Sequence, residues 1–158
     1  MKIRLAKNQD LEQISKLSKF FMQEVGMDVQ LWEKKIPRIM KQIECGFVFV
    51  CEMENKLVGY TAFYDSTLND KLKKGRIHIT NSVVDFHFRR RGIAEALRRR
   101  LIEFCREHSY NLITTNHHRQ NYPIIALSKK MGFIEYDDED FNGHQEDVFF
   151  KLNIDISN

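Results

Sequence analysis

Arg89-Arg90-Arg91-Gly92-Ile93-Ala94 stands where the chain changes rhythm. Before it, Arg76 to Val84 reads as a strand ending in Val83-Val84-Asp85-Phe86. After it, Ile93, Leu97, Leu101, Phe104 and Cys105 recur at the spacing of one helix face. They predict a helix from about Gly92 to His108, with Arg98, Arg99 and Arg106 largely outward. A strand that turns through small residues into a helix leaves several N–H donors unpaired at the positive end of the helix dipole. Such an end is a socket for phosphate, and three arginines raise its positive potential. The stretch therefore predicts a grip on a phosphorylated cofactor over Arg89 to Glu95. It is not a P-loop, because no Gly-Lys-Ser/Thr follows, and it lacks the G-x-G-x-x-G of dinucleotide folds. Taken alone, the hexapeptide fits a plain basic helix cap equally well.

Upstream, Ile3-Arg4-Leu5-Ala6 alternates as a short strand. Asp10, a candidate N-cap, precedes Leu11, Ile14, Leu17, Phe20 and Phe21 at helical spacing, and Gly26 closes that helix. Trp32, Ile36, Ile39, Met40 and Ile43 continue helical spacing, with Pro37 inside, so this second helix is expected to start late or kink. Gly46 to Cys51 and Leu57 to Tyr64, split by a turn at Asn55, read as a hairpin, and Asp65 to Gly75 as loop. Downstream, Asn111 to Thr115 reads as a strand and Tyr122 to Met131 as a short helix stopped by Gly132. Phe133 to Tyr136 and Asp147 to Leu152 read as closing strands around the acidic turn Asp137 to Asp140. The order β-α-α-β-β-β-α-β-α-β-β predicts an α/β (α+β) domain, one mixed sheet with helices on both faces.

The 158 residues are enough for one domain, 1–158, with a core that needs no disulfide or metal. A net charge of +3 is too mild to argue for nucleic acid. Cys45, Cys51 and Cys105 lack metal-ligand spacing, and an odd count argues against a secreted disulfide framework. The longest apolar block, Phe47 to Cys51, is far too short to span a bilayer, and Met1 to Lys7 has no leader-like run. A soluble cytoplasmic protein is the expectation, with no membrane, nucleic-acid or metal partner.

Arg89, Gly92 and Ala94 fill the positions of Arg/Gln-x-x-Gly-x-Gly/Ala, and the chain resembles the GNAT (GCN5-related N-acetyltransferase) family. Further blocks carry the resemblance: Ile3 to Ala6 with Asp10-Leu11 at the start, Val84 before the loop, and Asn121 followed by Met131-Gly132-Phe133. It covers nearly the whole chain. It implies the GNAT acyl-CoA N-acyltransferase fold, whose central parallel strands splay apart, and acetyl-CoA as acyl donor. By the resemblance, the backbone of Val84 bonds the pantetheine arm, and Arg91, Gly92, Ile93, Ala94 and Glu95 take the pyrophosphate on their amides. Gly92 would keep backbone close to phosphate, Arg89 would orient the loop, and Asn121 would lie near the cofactor. The plain alternatives are Val84 as core and Asn121 as a helix cap.

Acetyl transfer to an amine needs a proton removed, a lone pair aimed at the thioester carbon, a donor for the oxyanion and an acid for the leaving thiolate. The resemblance implies direct attack governed by positioning, with the Val84 amide as oxyanion donor. His78, six residues before Val84, is the candidate base; its ordinary pKa near 6.5 leaves much of it neutral at pH 7. A strand histidine without a role fits equally, and Thr80 or Asn81 could orient a water instead. Where many members carry a tyrosine acid, this chain has Ser128, a far poorer acid. Ser128 passing a proton through water, Tyr122 substituting, or loss of activity are the competing explanations. A tyrosine restored at 128 is expected to keep or raise activity. Phe20, Phe21, Met27 and Trp32 either wall the acceptor side or belong to the core. The acidic residues Asp137 to Asp140, with Glu146 and Asp147, either attract a cationic amine or form a solvated turn.

The expected acceptor is a primary amine of a small molecule, and the expected assembly a monomer or homodimer. Rival readings are a protein or peptide N-acetyltransferase, a non-catalytic acyl-CoA sensor motivated by Ser128, and a nucleic-acid module using Arg89 to Arg91 and Arg98 to Arg100. The last lacks the interleaved aromatics that stack bases.

Overall fold

The computed structural model describes residues 1–138 and 146–156. Its elements follow the expected order: β1 (Lys2–Leu5), α1 (Leu11–Glu24), α2 (Leu31–Glu44), β2 (Val48–Met53), β3 (Lys56–Tyr64), β4 (Arg76–Val84), α3 (Ile93–Glu107), β5 (Leu112–His118), α4 (Tyr122–Lys130), β6 (Ile134–Tyr136) and β7 (Asp147–Asn153). The strands form one mixed sheet in the order β1-β2-β3-β4-β5-β7-β6. Of the acidic turn, Glu139 and Asp140 lie outside the described residues.

Contacts divide the chain into two units, and β4 and α3 run through both. The first unit holds Met1–Phe63 and Asn81–Leu101. There β1 and β3 flank β2 in antiparallel register, Arg4↔Val50 and Val50↔Tyr60. The β2–β3 turn passes through Glu54 and Asn55, both at positive φ (53° and 62°), which suits a tight hairpin. The apolar stripes of α1 (Ile14, Leu17, Met22) and α2 (Trp32, Ile39, Ile43) pack on Val48, Val50, Tyr60, Ala62 and Val83. Trp32 is therefore core, whereas Phe20 and Met27 stay exposed. The other face of β3 carries α3: a Cβ added at Gly59 would lie 3.1 Å from Ile93 and 3.1 Å from the Val83 carbonyl, so glycine lets the helix settle onto the strand.

Three expectations need correction here. Asp10 does not cap α1 with its side chain. Its carboxylate reaches back instead, accepting from the Lys7 amide at 2.7 Å and from both terminal nitrogens of Arg4 at 2.8 and 3.0 Å. A 3-10 turn at Asn8–Asp10 has already started the coil, and a buried ion pair outweighs the cap. Of the late start or kink expected at Pro37, the late start does not hold, since α2 runs from Leu31 through Pro37 to Glu44. Burial of the Trp32, Ile39 and Ile43 stripe outweighs the one hydrogen bond that proline forfeits. Arg98 is not outward but 3% exposed, and desolvation draws its guanidinium down to about 10. Its place beside Leu97, one turn before Leu101, puts it on the buried edge of α3.

The second unit holds Tyr64–Thr80 and the described residues from Ile102 onward. Here β4 runs parallel to β5 from Arg76↔Leu112 to Ile79↔Thr115. On its other edge β5 is antiparallel to β7, which also carries β6. Ile77, Ile79, Phe104, Cys105, Ile113, Phe133, Phe149 and Phe150 are buried in this unit.

Candidate active site

The loop after β4 is built by a sequence of local constraints. The Asp85 amide donates to the Val58 carbonyl at 2.8 Å, which ends the strand on β3. The Asp85 carboxylate accepts from the His87 amide at 2.9 Å and opens a 3-10 turn, Phe86–Phe88. The chain then passes through Arg90 and Gly92, both at positive φ (63° and 77°), and enters α3 at Ile93. The Ala96 amide donates to the Gly92 carbonyl at 2.9 Å, so Gly92 is the cap residue rather than the first helical one. The amides of Ile93, Ala94 and Glu95 consequently have no helical acceptor. A Cβ built at Gly92 meets nothing within 4 Å, so the protein itself does not demand glycine by contact. The positive φ demands it, and the space in front of it is open.

Arg89 clamps this loop. Its Nε donates to the Val84 carbonyl at 3.2 Å, and its terminal nitrogens form a forked pair with Glu24 at 2.6 and 2.7 Å. Strand end, loop and the last turn of α1 are thereby tied to one guanidinium, and the same pairing holds the Glu24 carboxyl below the usual range. Arg91 lies over the Phe88 ring at 4.9 Å, with Lys56 also over it at 4.8 Å. The other arginine run does not make an exposed stripe: Arg98 is buried, Arg99 pairs with Glu95 at 2.9 Å, and Arg100 lies over Phe49 at 4.9 Å. Val84 lies on the stretch of β4, Thr80 to Val84, that continues past the end of the β5 ladder.

In the second unit His78 is 2% exposed and stacks on Tyr64. Its Nδ1 lies 2.8 Å from the Thr114 hydroxyl and its Nε2 3.0 Å from Asn116 Oδ1. The two ends fix the direction of the outer bonds. Arg76 Nε can only donate, and does so to Thr114 Oγ1 at 2.8 Å. Asp147 Oδ2 can only accept, from Asn116 Nδ2 at 2.7 Å. Asn116 therefore turns its carbonyl to His78, which donates to it from Nε2, while Nδ1 faces the Thr114 hydroxyl. Both His78 nitrogens are thus engaged, with the proton on Nε2 fixed by Asn116. A base role at Nδ1 requires the Thr114 hydroxyl to leave first.

Ser128 is fully buried and hydrogen-bonded to His117 Nε2 at 3.0 Å. A phenol ring at 128 has no room without displacing His117 or its neighbours, so a freely tolerated tyrosine is not what this packing supports. Asn121 is the N-cap residue of α4 by position and makes no side-chain cap bond. Tyr122 is exposed. His117 and His118 turn to different partners, Ser128 and Glu146. Thr114, Asn116, Asp147 and His117 were not anticipated from the sequence as partners of His78 and Ser128. The signal lies in strand register, His78↔Thr114 across β4 and β5, which no local pattern carries.

The comparisons agree with this architecture. The family model "Acetyltransferase (GNAT) family" matches residues 11–133. An uncharacterised N-acetyltransferase of Methanocaldococcus jannaschii is 30% identical over 139 residues, 84% of this chain. The chain spans 60% of that relative's length. Among solved structures, the ribosomal-protein-alanine N-acetyltransferase of Brucella melitensis superposes with a TM-score of 0.75 at 22% identity, over 97% of this chain and 99% of that one. The PaiA N-acetyltransferase of Thermoplasma acidophilum, solved in complex with coenzyme A, gives 0.80 at 13% identity, over 96% of this chain and 98% of that one. Both of these share the fold. No helix among the described residues is long and apolar enough to cross a membrane. With the family match spanning the open-faced loop, β4 and β5, the chain belongs to the acetyltransferase (GNAT) family.

Proposed function

We propose that this chain is a single-domain, acetyl-CoA-dependent N-acetyltransferase that acetylates a primary amine, of a small molecule, by direct attack. The observation that carries the reading is the entrance to α3: a helix N-terminus whose first amides have no acceptor within the helix, an open face at Gly92 and a loop clamped by Arg89. This entrance suits a diphosphate, with Arg91, Gly92, Ile93, Ala94 and Glu95 offering their amides. The Thermoplasma neighbour holds coenzyme A on the same fold, which supports the choice of coenzyme. In the reaction the amine nitrogen, having lost its proton, attacks the thioester carbon; the C–N bond forms, the C–S bond breaks, and the thiolate takes up a proton. The Val84 amide stabilises the oxyanion, and Asn121 offers its amide side chain to the coenzyme. His78 receives the amine proton once Thr114 swings off Nδ1. Ser128, backed by His117, replaces the usual phenol on the leaving side.

The experiment is calorimetry with acetyl-CoA, then a screen of amines and peptides read by release of free CoA. Binding with turnover of a small amine supports the proposal. Absence of binding by folded protein overturns it. Binding without turnover of any acceptor favours the sensor reading, for which the burial of Ser128 is the specific observation.

A further inference from the structure

Lys35 and Arg38 stand one turn apart on α2. Arg38 Nη2 donates to Asn81 Oδ1 at 3.3 Å. Asn81 belongs to the stretch of β4 past the β5 ladder, three residues before Val84, about 10 Å along the strand. Lys35 is half-buried, and burial followed by the charge of Arg38 holds its ammonium below the usual lysine range. The two carboxylates of α2 face other lysines: Glu33 lies 3.7 Å from Lys19 and Glu44 3.6 Å from Lys41. Among the described residues no carboxylate pairs with Lys35 or Arg38. Two like charges are thus held together, one partly desolvated, beside the strand proposed to hold the acyl group. Such a pair is stabilised when a ligand brings the missing anion.

We infer that Lys35 and Arg38 receive a carboxylate of the acceptor, so that the substrate class is an amine that also bears a carboxylate, as in a free amino acid. The inference rests on the proposed acetyltransferase activity and narrows it. A polyamine or simple alkylamine would meet two cations with nothing to offer them. Exposed Met27 and Leu31, at and just before the start of α2, leave room for an apolar portion as well.

The test compares α-, β- and γ-amino acids with their carboxamides and with the matching alkylamines, on wild type and on the double variant Lys35→Gln/Arg38→Gln. The expected result is at least a tenfold preference in kcat/KM for the acids, falling to near unity in the variant, with the acetyl-CoA Kd changed less than twofold. Equal or better turnover of amides and alkylamines overturns the inference and leaves the acetyltransferase reading intact. A second arm needs no turnover: CoA-saturated protein is titrated calorimetrically with N-acetylated amino acids. Binding weakened at least tenfold by the double variant supports the carboxylate site even if no acceptor is acetylated. Absence of binding, or binding unchanged by the variant, overturns it.

Discussion

Gly92 and Arg89 divide the work of the proposed coenzyme loop between backbone and side chain. Gly92→Ala forces an L-residue to φ 77° and puts a methyl into the open space proposed to take the diphosphate. The expected outcome is a loss of roughly 1–2 kcal/mol in stability and at least a ~10-fold weaker acetyl-CoA Kd, measured by urea unfolding and calorimetry. Arg89→Ala cuts the tie between the Val84 carbonyl and Glu24 and is expected to raise KM for acetyl-CoA about tenfold with kcat little changed. His78 behaves differently, because its neighbours depend on it. His78→Ala leaves Thr114 and Asn116 without their shared partner and is expected to lower stability by about 2–3 kcal/mol, as well as kcat. A variant as stable as wild type would show that these bonds are not made in solution. The loop was legible in the sequence because its residues are contiguous. The surroundings of His78 were not, because its partners come from β5 and reach Asp147 on β7.

At the scale of elements, the sequence pattern located each α-helix and strand among the described residues but neither 3-10 turn, and the errors sit where a tertiary contact overrode a local preference. Strand β4 matches its expected span because Gly75 and Asp85 bound it on both sides. Helix α2 differs because its buried stripe carries it through Pro37. That proline is exposed, so Pro37→Ala removes a backbone penalty without touching the core. The expected gain is about 1–3 kcal/mol, read as a higher Tm. The start of α1 is held by Asp10, whose carboxyl is kept below its ordinary range chiefly by hydrogen bonds from Arg4 and then from the Lys7 amide. A depressed carboxyl stabilises the fold above its unfolded pKa, about 3.9, and that contribution fades as pH falls through the lower folded value. Unfolding free energies from pH 6 down to pH 2 should therefore fall less steeply in Asp10→Asn than in wild type. The variant should be weaker by about 2–3 kcal/mol at pH 6.

At the scale of the whole molecule, a ligand that binds only the folded chain must raise its melting temperature. Acetyl-CoA at a hundred times its Kd is expected to add about 2.7 kcal/mol, a rise of roughly 5–10 °C in a thermal shift measurement. Free adenosine at the same concentration, lacking the diphosphate, is expected to add far less. The element order and the coenzyme loop were enough to indicate the architecture from sequence. The charge placement on α2 emerged only when helix and strand were set side by side, as Arg38 and Asn81 are. The hydrogen-bonded chain from Arg76 through Thr114, His78 and Asn116 to Asp147 joins β4, β5 and β7. A single neutral amide, Asn116, insulates an imidazole from a carboxylate. Exchange it for aspartate and two carboxylates would face each other across hydrogen-bond reach, with the imidazole against one of them.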